Sequence, residues 1–306
     1  MQPWHVYHIA FSISDALAAL AAAPGPARVI AGGTDLLLDM AQGRHAPVHT
    51  LVDITRIPEL TVIEQRLDSL YIGAAVPLSR IVTAPPVVEH AQALAQACAL
   101  IGGPQVRHVA TLGGNVVHAL PAADGAIALI ALDAEAEIAD RQGRRRQRVA
   151  DLYRGPGHSA LDPQGELLVG FHLPLRRHGQ ASAFRRVMRP QGVAIAILNM
   201  AVWLERRGDE MTDIRIAVGP AGPTPRRLMG TEQSLRGRAP TEAVLAEALM
   251  ALLAEAHFRT SPHRSSAAYR RHLAAVLLRE TLMAAWDEAG RWGSMADTMP
   301  TAAVVS

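Results

Sequence analysis

Two pairs of adjacent glycines mark the segments of this sequence with the clearest chemical potential. The first pair lies in Val29-Ile-Ala-Gly-Gly-Thr-Asp-Leu36, where a strand pattern ends and a helix pattern begins. Glycines let a ligand approach the backbone closely, and successive N–H groups at a helix start can bind an anion. The segment therefore predicts a turn able to hold a pyrophosphate, with the Thr34 hydroxyl as a further donor. The alternative is a plain tight turn in which Asp35 caps the helix.

The second pair lies in Thr111-Leu-Gly-Gly-Asn-Val-Val-His-Ala-Leu-Pro-Ala-Ala-Asp124, which carries hydroxyl, amide, imidazole and carboxylate groups. Pro121 suits the first turn of a helix, which would place Asp124 near the N-terminus of that helix. Asp124 then either complements the helix dipole or accepts hydrogen bonds from the hydroxyls of a sugar-like ligand. His118 either contacts a ligand or is a turn residue whose hydrogen bonds are satisfied locally.

Short strand and helix patterns surround the first glycine pair and predict a small β–α–β lobe. A helix opened by Ser-Asp is expected first, followed by a strand, a helix and a second strand. These four elements are expected at Ser14–Ala23, Arg28–Ala31, Leu36–Met40 and Leu51–Ile54.

Further elements are predicted beyond residue 57, with a polar linker at Arg176–Gln180 and a frayed tail after Gly290. Helix or strand is also expected near Gly113–Asn115 and over Pro121–Leu132, and helices near Leu78, before Ile101, over Thr241–Ala256 and over Ser265–Ala285. Strands are expected at Ser69–Ala74, Ala136–Ala139, Arg148–Leu152, Glu166–Leu173, Ala194–Glu205 and Asp213–Gly219.

The composition is that of a folded globular protein. Of 306 residues, 49% are hydrophobic and 19% charged, which excludes a disordered chain. All 30 basic residues are Arg, so lysine Schiff-base chemistry and lysine-dependent phosphate loops are excluded. The densest basic run, Arg144 to Arg148, has no interleaved aromatics, which favours a solvated turn or a partner-facing patch over nucleic-acid binding.

The only cysteine, Cys98, excludes an intrachain disulfide and an iron–sulfur cluster held by four thiolates of this chain. It lies in a helical pattern, which favours a buried inert thiol over a nucleophile. The sequence contains no familiar nucleotide-binding, zinc-protease or serine-hydrolase motif, and no metal site is expected. With neither a signal-peptide pattern nor an apolar run of transmembrane length, a cytoplasmic location is expected.

Taken together, the motifs resemble the FAD-binding medium subunit of the molybdenum hydroxylases, the xanthine dehydrogenase and carbon monoxide dehydrogenase family. Weaker similarity extends the resemblance over residues 1–285. The segments that carry it, in order, are Ala31-Gly-Gly-Thr-Asp-Leu-Leu37, Leu51-Val-Asp-Ile54, Ile57-Pro-Glu-Leu60, Pro104-Gln-Val-Arg107, Thr111-Leu-Gly-Gly-Asn115 and Pro121-Ala-Ala-Asp124.

The resemblance implies an α+β fold, with a two-lobed FAD-binding domain of the vanillyl-alcohol-oxidase type and a C-terminal α/β domain of the carbon monoxide dehydrogenase flavoprotein type. The lobes are expected at residues 1–56 and 57–176, the C-terminal domain at 177–288 and a flexible tail at 289–306. FAD would lie in the cleft. The residues implied to bind it are Val29, Ile30, Ala31, Gly32, Gly33, Thr34, Asp35, Leu36, Ile101, Thr111, Gly113, Gly114, Asn115, His118, Asp124, Leu168 and Arg185.

The sequence also departs from the family pattern. Leu120 stands where relatives more often have Ser or Asp, which removes a polar contact, and Gly125 replaces a usual leucine. Met188-Arg-Pro-Gln-Gly192 differs from the Arg-Arg pattern of xanthine-type members, so the segment gives no indication of substrate. The lone Cys98 excludes the extra iron–sulfur loop that some relatives insert.

The function implied by the resemblance is electron transfer without a catalytic acid or base from this chain. A large partner subunit would carry the molybdenum cofactor and a small partner two [2Fe-2S] clusters. Electrons would pass from those clusters through FAD to NAD+, oxygen or a quinone, in a dimer of heterotrimers. The alternatives are a stand-alone FAD oxidoreductase and a non-redox scaffold that has lost FAD.

Overall fold

A parallel sheet of three strands begins the chain. The computed structural model describes residues 4–189, 195–262 and 264–296, with side chains described as far as residue 291. The strand order is β1-β3-β2, so the last strand lies between the first two. The elements are β1 (Val6–Ile9), α1 (Ile13–Ala22), β2 (Ala27–Ile30), α2 (Leu36–Ala41) and β3 (Thr50–Asp53). The predicted β–α–β lobe is present, and β1 adds a strand that the sequence patterns did not reveal.

A five-stranded antiparallel sheet and six helices follow. Its strand order is β4-β5-β10-β6-β7, and a short 3-10 turn, Pro58–Thr61, leads into it. The strands are β4 (Ile63–Gln65), β5 (Ser69–Gly73), β6 (Glu135–Asp140), β7 (Gly143–Arg148) and β10 (Leu167–Pro174), and β8 (Tyr153–Gly155) pairs separately with β9 (His158–Ser159). The helices are α3 (Leu78–Thr83), α4 (Pro85–His90), α5 (Gln92–Leu100), α6 (Pro104–Val109), α7 (Leu112–Val117) and α8 (Asp124–Ala131).

Helices α5 and α8 form the centre of the largest hydrophobic core. Every residue of α8 is buried, including its first residue, Asp124. The helix packs against α5 on one side and against later strands on the other, which explains why no polar face remains. Cys98 of α5 is completely buried in this core, and burial raises its pKa, as expected for an inert thiol.

A second antiparallel sheet, of four strands, forms the C-terminal part of the chain. Its order is β11-β12-β13-β14, and its own core packs the strands against the last helices. The elements are β11 (Gln180–Val187), β12 (Leu198–Arg207), β13 (Glu210–Gly219), β14 (Arg226–Arg227), α9 (Met229–Leu235), α10 (Glu242–Glu255) and α11 (Ala267–Ala296). The mixture of helices and strands confirms the α+β class. In the described part of the chain, no helix is both long and apolar enough to cross a membrane.

Several predicted elements differ from the structure. Arg148–Leu152 is not a strand: Val149–Leu152 forms a 3-10 turn, and the strand is the preceding β7. The arginine run of β7 therefore lies on an edge strand, where charge protects the open edge of a sheet, and not in a turn. Arg144 bonds to Glu59 and Glu137, so part of the run is paired within the chain.

Two helix boundaries also differ. Pro121 lies before α8, which begins only at Asp124. Helix α11 continues past the expected end at Ala285 to Ala296, so the predicted tail begins within a helix, and residues 297–306 lie outside the described residues. The strand β11 was not predicted, and its first residue, Gln180, was assigned to the linker. Residues 190–192, which belong to the segment that departs from the family pattern, also lie outside the described residues.

Candidate functional site

The first glycine loop presents a run of unused backbone donors. The loop connects β2 to α2, and Gly33 has a φ of +66°, a conformation that favours glycine. Among the described residues, none accepts a hydrogen bond from the amides of Gly32 through Asp35. Successive free amides around a left-handed residue at a helix start form a concave anion site. Asp35 is the N-cap residue of α2, but its carboxylate makes no hydrogen bond to the first amides of that helix.

The apolar residues around this loop face inward. Ile30 is buried in a small core with Leu51, and Leu36 packs partly against it. Val29 and Ala31 pack partly against the core formed by α1 and β3. These side chains anchor both ends of the loop, so the backbone is the part that remains available to a ligand.

Gly32 of the first loop lies very close to the backbone of the segment that precedes the second glycine pair. A Cβ placed on Gly32 would lie 2.0 Å from the carbonyl oxygen of Val109 and 2.9 Å from the Cα of Ala110. Both are backbone atoms, so no side chain can rotate away to make room. The glycine is therefore required for close approach of the two loops, in addition to any role toward a ligand.

The second glycine loop uses its amides internally. Thr111 caps α7, because the Gly114 amide donates to its hydroxyl oxygen at 3.1 Å. The Gly113 amide donates to the carbonyl of Ala74 at 2.9 Å, and a Cβ on Gly113 would lie 2.6 Å from that oxygen. These bonds hold α7 against the end of β5. Thr111 and Gly113 therefore shape the loop, whereas Gly114 itself is exposed.

His118 and Asp35 bring the two loops together at the surface. The His118 Nε2 atom lies 3.9 Å from an Asp35 carboxylate oxygen, and both side chains are partly exposed. The residues are far apart in the sequence, and each was predicted from its own motif. The structure places these two residues, one from each motif, side by side.

Asp124 is the most constrained of the predicted residues. Its carboxylate forms an ion pair with Arg186 of β11, and both side chains are about 95% buried. The Asn199 side-chain amide of β12 donates to the other carboxylate oxygen at 2.5 Å. Burial raises the pKa of Asp124, and the Arg186 charge and the Asn199 hydrogen bond oppose that effect. Asp124 is therefore oriented by specific partners and does not merely complement the dipole of α8.

Arg186 and Asn199 were missed by the sequence analysis. The resemblance implied Arg185 instead, whose guanidinium donates to the carbonyl of Phe184 at 2.9 Å and to the side chain of Gln96 at 3.4 Å. Arg185 and Arg186 are consecutive residues of a strand, so their side chains point to opposite faces of the sheet. The arginine that reaches Asp124 can be identified only when it is known which face of β11 packs against α8.

Three buried polar atoms around this pair have no hydrogen-bond partner in the described structure: Asn115 Oδ1, Arg186 Nε and Asn199 Oδ1. Buried polar groups are almost always paired, so unpaired atoms of this kind indicate a missing ligand or water. A Cβ on Gly125 would lie 2.7 Å from Asn115 Oδ1, so the Asn115 side chain would have to shift if residue 125 were larger.

The two apolar site residues belong to the central core. Leu168 of β10 is 5% exposed, and Ile101 packs partly against the same core at the end of α5. Leu168 therefore supports the site from within the core. No group of three or more His, Cys, Asp or Glu side chains suited to a metal ion occurs in the described ranges.

The sequence matches two protein families. Residues 2–176 match the FAD binding domain in molybdopterin dehydrogenase, which is more than half of the chain. The chain belongs to this family. Residues 182–285 match the C-terminal domain of the carbon monoxide dehydrogenase flavoprotein. The protein is therefore an FAD-binding medium subunit of the molybdenum hydroxylase family, an oxidoreductase component, as the resemblance in its motifs implied.

Individual relatives support this assignment over nearly the whole chain. The xanthine dehydrogenase FAD-binding subunit of Escherichia coli O157:H7 is 32% identical, covering 93% of this chain and 97% of the relative. The carbon monoxide dehydrogenase medium chain of Hydrogenophaga pseudoflava is 31% identical, covering 93% and 98%. The structure of carbon monoxide dehydrogenase from H. pseudoflava matches with a TM-score of 0.88 at 29% identity, covering 94% of this chain and 99% of that one.

Proposed function

We propose that this medium subunit binds FAD where the two glycine loops and Asp124 lie together, and that it relays electrons within a heteromeric complex. The observation that carries the proposal is the run of unused amides from Gly32 to Asp35. A pyrophosphate needs several donors and a positive local potential, and this loop supplies both without any lysine. The fit is good because the donors are already held in place by the contact of Gly32 with Val109.

The other proposed site residues have different roles, which follow from their contacts in the structure. Thr111, Gly113, Gly114 and Asn115 belong to the N-cap and first turn of α7, and the unpaired Oδ1 of Asn115 is available to a hydroxyl or amide donor. We add Arg186 to the proposed cofactor-binding residues, because it forms an ion pair with Asp124. Arg185 stays in the proposal as a basic residue on the other face of β11. His118 would limit access between the two loops through its approach to Asp35.

The chemistry follows from the cofactor. When bound, FAD accepts electrons from iron–sulfur clusters and passes them to NAD+, oxygen or a quinone. This chain's own contribution is to bind, orient and shield the cofactor, and none of the residues above is required as a proton donor or acceptor. We propose as partners a large molybdopterin-binding subunit and a small subunit with two [2Fe-2S] clusters, in a dimer of heterotrimers. Relatives named as medium chains or medium subunits support a complex of several chains.

Two further proposals concern organisation and location. We propose that the chain divides at residues 56 and 176, and a hydrophobic core that lies wholly beyond residue 176 supports the second boundary. We also propose a cytoplasmic location, where reducing conditions suit a chain with one free, buried thiol.

The proposal is tested by isolating the complex and recording its visible absorption before and after acid release of the cofactor. Released FAD together with iron–sulfur absorbance from companion chains is the expected result. FAD without companions would favour a stand-alone oxidoreductase. Absence of flavin after incubation with excess FAD would contradict cofactor binding and leave a scaffold role.

A pair of matched variants assigns the site. Gly33→Val should lower flavin content strongly, because a side chain at this left-handed position strains the loop that carries the free amides. Gly43→Val is the control, since Gly43 has a φ of +69° in the following loop and open space around its α carbon. Full flavin content in the Gly33 variant would refute the assignment.

A further inference from the structure

A basic surface lies in the C-terminal part of the molecule, where two stretches without carboxylates meet. The sequence has no Asp or Glu over residues 167–204 or over residues 256–279, although both stretches contain several arginines. The structure joins them, because the Arg189 guanidinium donates to the carbonyl of Arg264 at 3.3 Å. Arg189 and Arg264 are both exposed. Positive charge therefore accumulates here without neighbouring carboxylates of the kind that pair with other arginines of this chain, such as Glu232 with Arg227.

Arg270 is the buried centre of this surface. It is only 2% exposed, the largest fully buried side chain of the described residues. Its Nη1 atom donates to the carbonyl of Arg259 at 2.8 Å, whereas its Nε is buried without a hydrogen-bond acceptor in the described structure. Burial, and then the charges of Arg259 and Arg264, lower the pKa of Arg270. A buried cation without a counter-charge is energetically unfavourable. The burial of Arg270 therefore indicates that an anion binds beside it.

The surroundings favour a phosphate over other anions. Arg270 lies in the first turn of α11, a long helix whose N-terminus carries partial positive charge. Two hydroxyls cap this end, since Thr260 accepts from the Ala267 amide at 3.1 Å and Ser266 accepts from the Tyr269 amide at 3.1 Å. The capping bonds fix the loop that carries Arg259 and Arg264. A phosphate can accept the forked hydrogen bonds of a guanidinium and receive two further arginines at the same time.

We propose that Arg259, Arg264 and Arg270 form a phosphate-binding site separate from the two glycine loops. The ligand is a phosphate-type oxyanion, either free in solution or part of a nucleotide. Arg270 binds it through its unpaired Nε, and the two exposed arginines supply additional charge. The site belongs to the C-terminal part of the chain, so it does not depend on the proposed FAD site.

The test measures binding of inorganic pyrophosphate to the FAD-loaded full chain by isothermal titration calorimetry without magnesium. The double variant Arg259→Gln, Arg264→Gln should raise the Kd about tenfold, since two charge-assisted contacts are lost. Both substitutions keep the main-chain carbonyls that accept from Arg270 and Arg189, so the fold is retained. Arg270→Lys should also weaken binding, because an ammonium cannot donate through a fork.

The control is Arg146→Gln, which removes one positive charge from an exposed position on β7 and should leave the Kd unchanged. An unchanged Kd in the double variant, or no saturable binding to the parent chain, would overturn the proposal. Competition by AMP but not adenosine would identify nucleotide phosphate as a ligand. Competition by neither would identify the free anion, and equal competition by both would contradict phosphate recognition.

Discussion

Asp124 and Arg186 form a buried ion pair between α8 and β11, which belong to the segments matched by two different family descriptions. The pair therefore links the first 176 residues to the C-terminal sheet, and the adjacent Gly125 lies next to Asn115 of the second glycine segment. Asn199 holds the same carboxylate from the neighbouring strand at 2.5 Å.

Asp124→Asn should lower the free energy of unfolding by about 3 kcal/mol, because it leaves the Arg186 guanidinium buried without a counter-charge. Chemical denaturation monitored by circular dichroism measures the effect. Asp209→Asn is the control: Asp209 is 95% exposed beside Arg206, so the change should stay within about 0.5 kcal/mol. Equal effects of both substitutions would show that the buried pair contributes no special stability.

Gly32→Ala should reduce both stability and flavin content. The added methyl group would meet the Val109 carbonyl oxygen at 2.0 Å, so the backbone of one loop must move, at a cost of about 1–3 kcal/mol. Thermal unfolding and the absorbance ratio of flavin to protein measure the two effects. Gly222→Ala is the control, since a Cβ there makes only ordinary contacts, the nearest at 3.7 Å. Normal flavin content in the Gly32 variant would show that cofactor binding does not require the close packing of the two loops.

The folded protein should become less stable as the pH falls, because a buried network on the central sheet contains a carboxylate. Glu137 accepts from His172 at 2.6 Å and from Arg144 at 2.8 Å, while Arg144 also bonds to Glu59 and the Tyr71 ring packs against His172. Burial alone would raise the pKa of Glu137, but the hydrogen bonds from His172 and Arg144 outweigh it, and the pKa lies below its ordinary value of 4.5.

A lowered carboxylate pKa stabilises the folded state above the ordinary value, and that contribution is lost as the pH falls through the folded pKa. The free energy of unfolding should therefore decrease as the pH drops below 4.5. Urea denaturation at a series of pH values measures this decrease. Glu137→Gln should be less stable at neutral pH and should show a shallower decrease on acidification. An equally steep decrease in the variant would assign the pH dependence to other carboxylates.

Cys98 should resist thiol reagents as long as the chain is folded. The side chain is completely buried in α5 and burial raises its pKa, so little thiolate forms and no reagent reaches it. Reaction with a chromogenic disulfide should proceed in denaturant and be very slow in native buffer. Rapid labelling of the native protein would show that the core around α5 opens readily.

The local sequence was sufficient for much of this picture. The two glycine segments identified the loops, because turns that approach a ligand or another backbone require residues without a Cβ. The helical spacing around Cys98 predicted its burial, and the β–α–β lobe followed from short strand and helix patterns. The edge strand β7 was misassigned because its exposed arginines have no apolar alternation, and β1 was missed because most of its side chains are exposed.

The amino-acid sequence by itself determined the family, the loop residues and the inert thiol, all of which depend on neighbours along the chain. Only the tertiary structure decided the partners of those residues. The choice of Arg186 over Arg185 depends on which face of β11 packs against α8, and adjacent strand residues look alike in sequence. The need for Gly32 depends on the backbone of Val109, which is distant from it in the sequence. Such relationships arise from packing between distant segments, which local patterns do not encode.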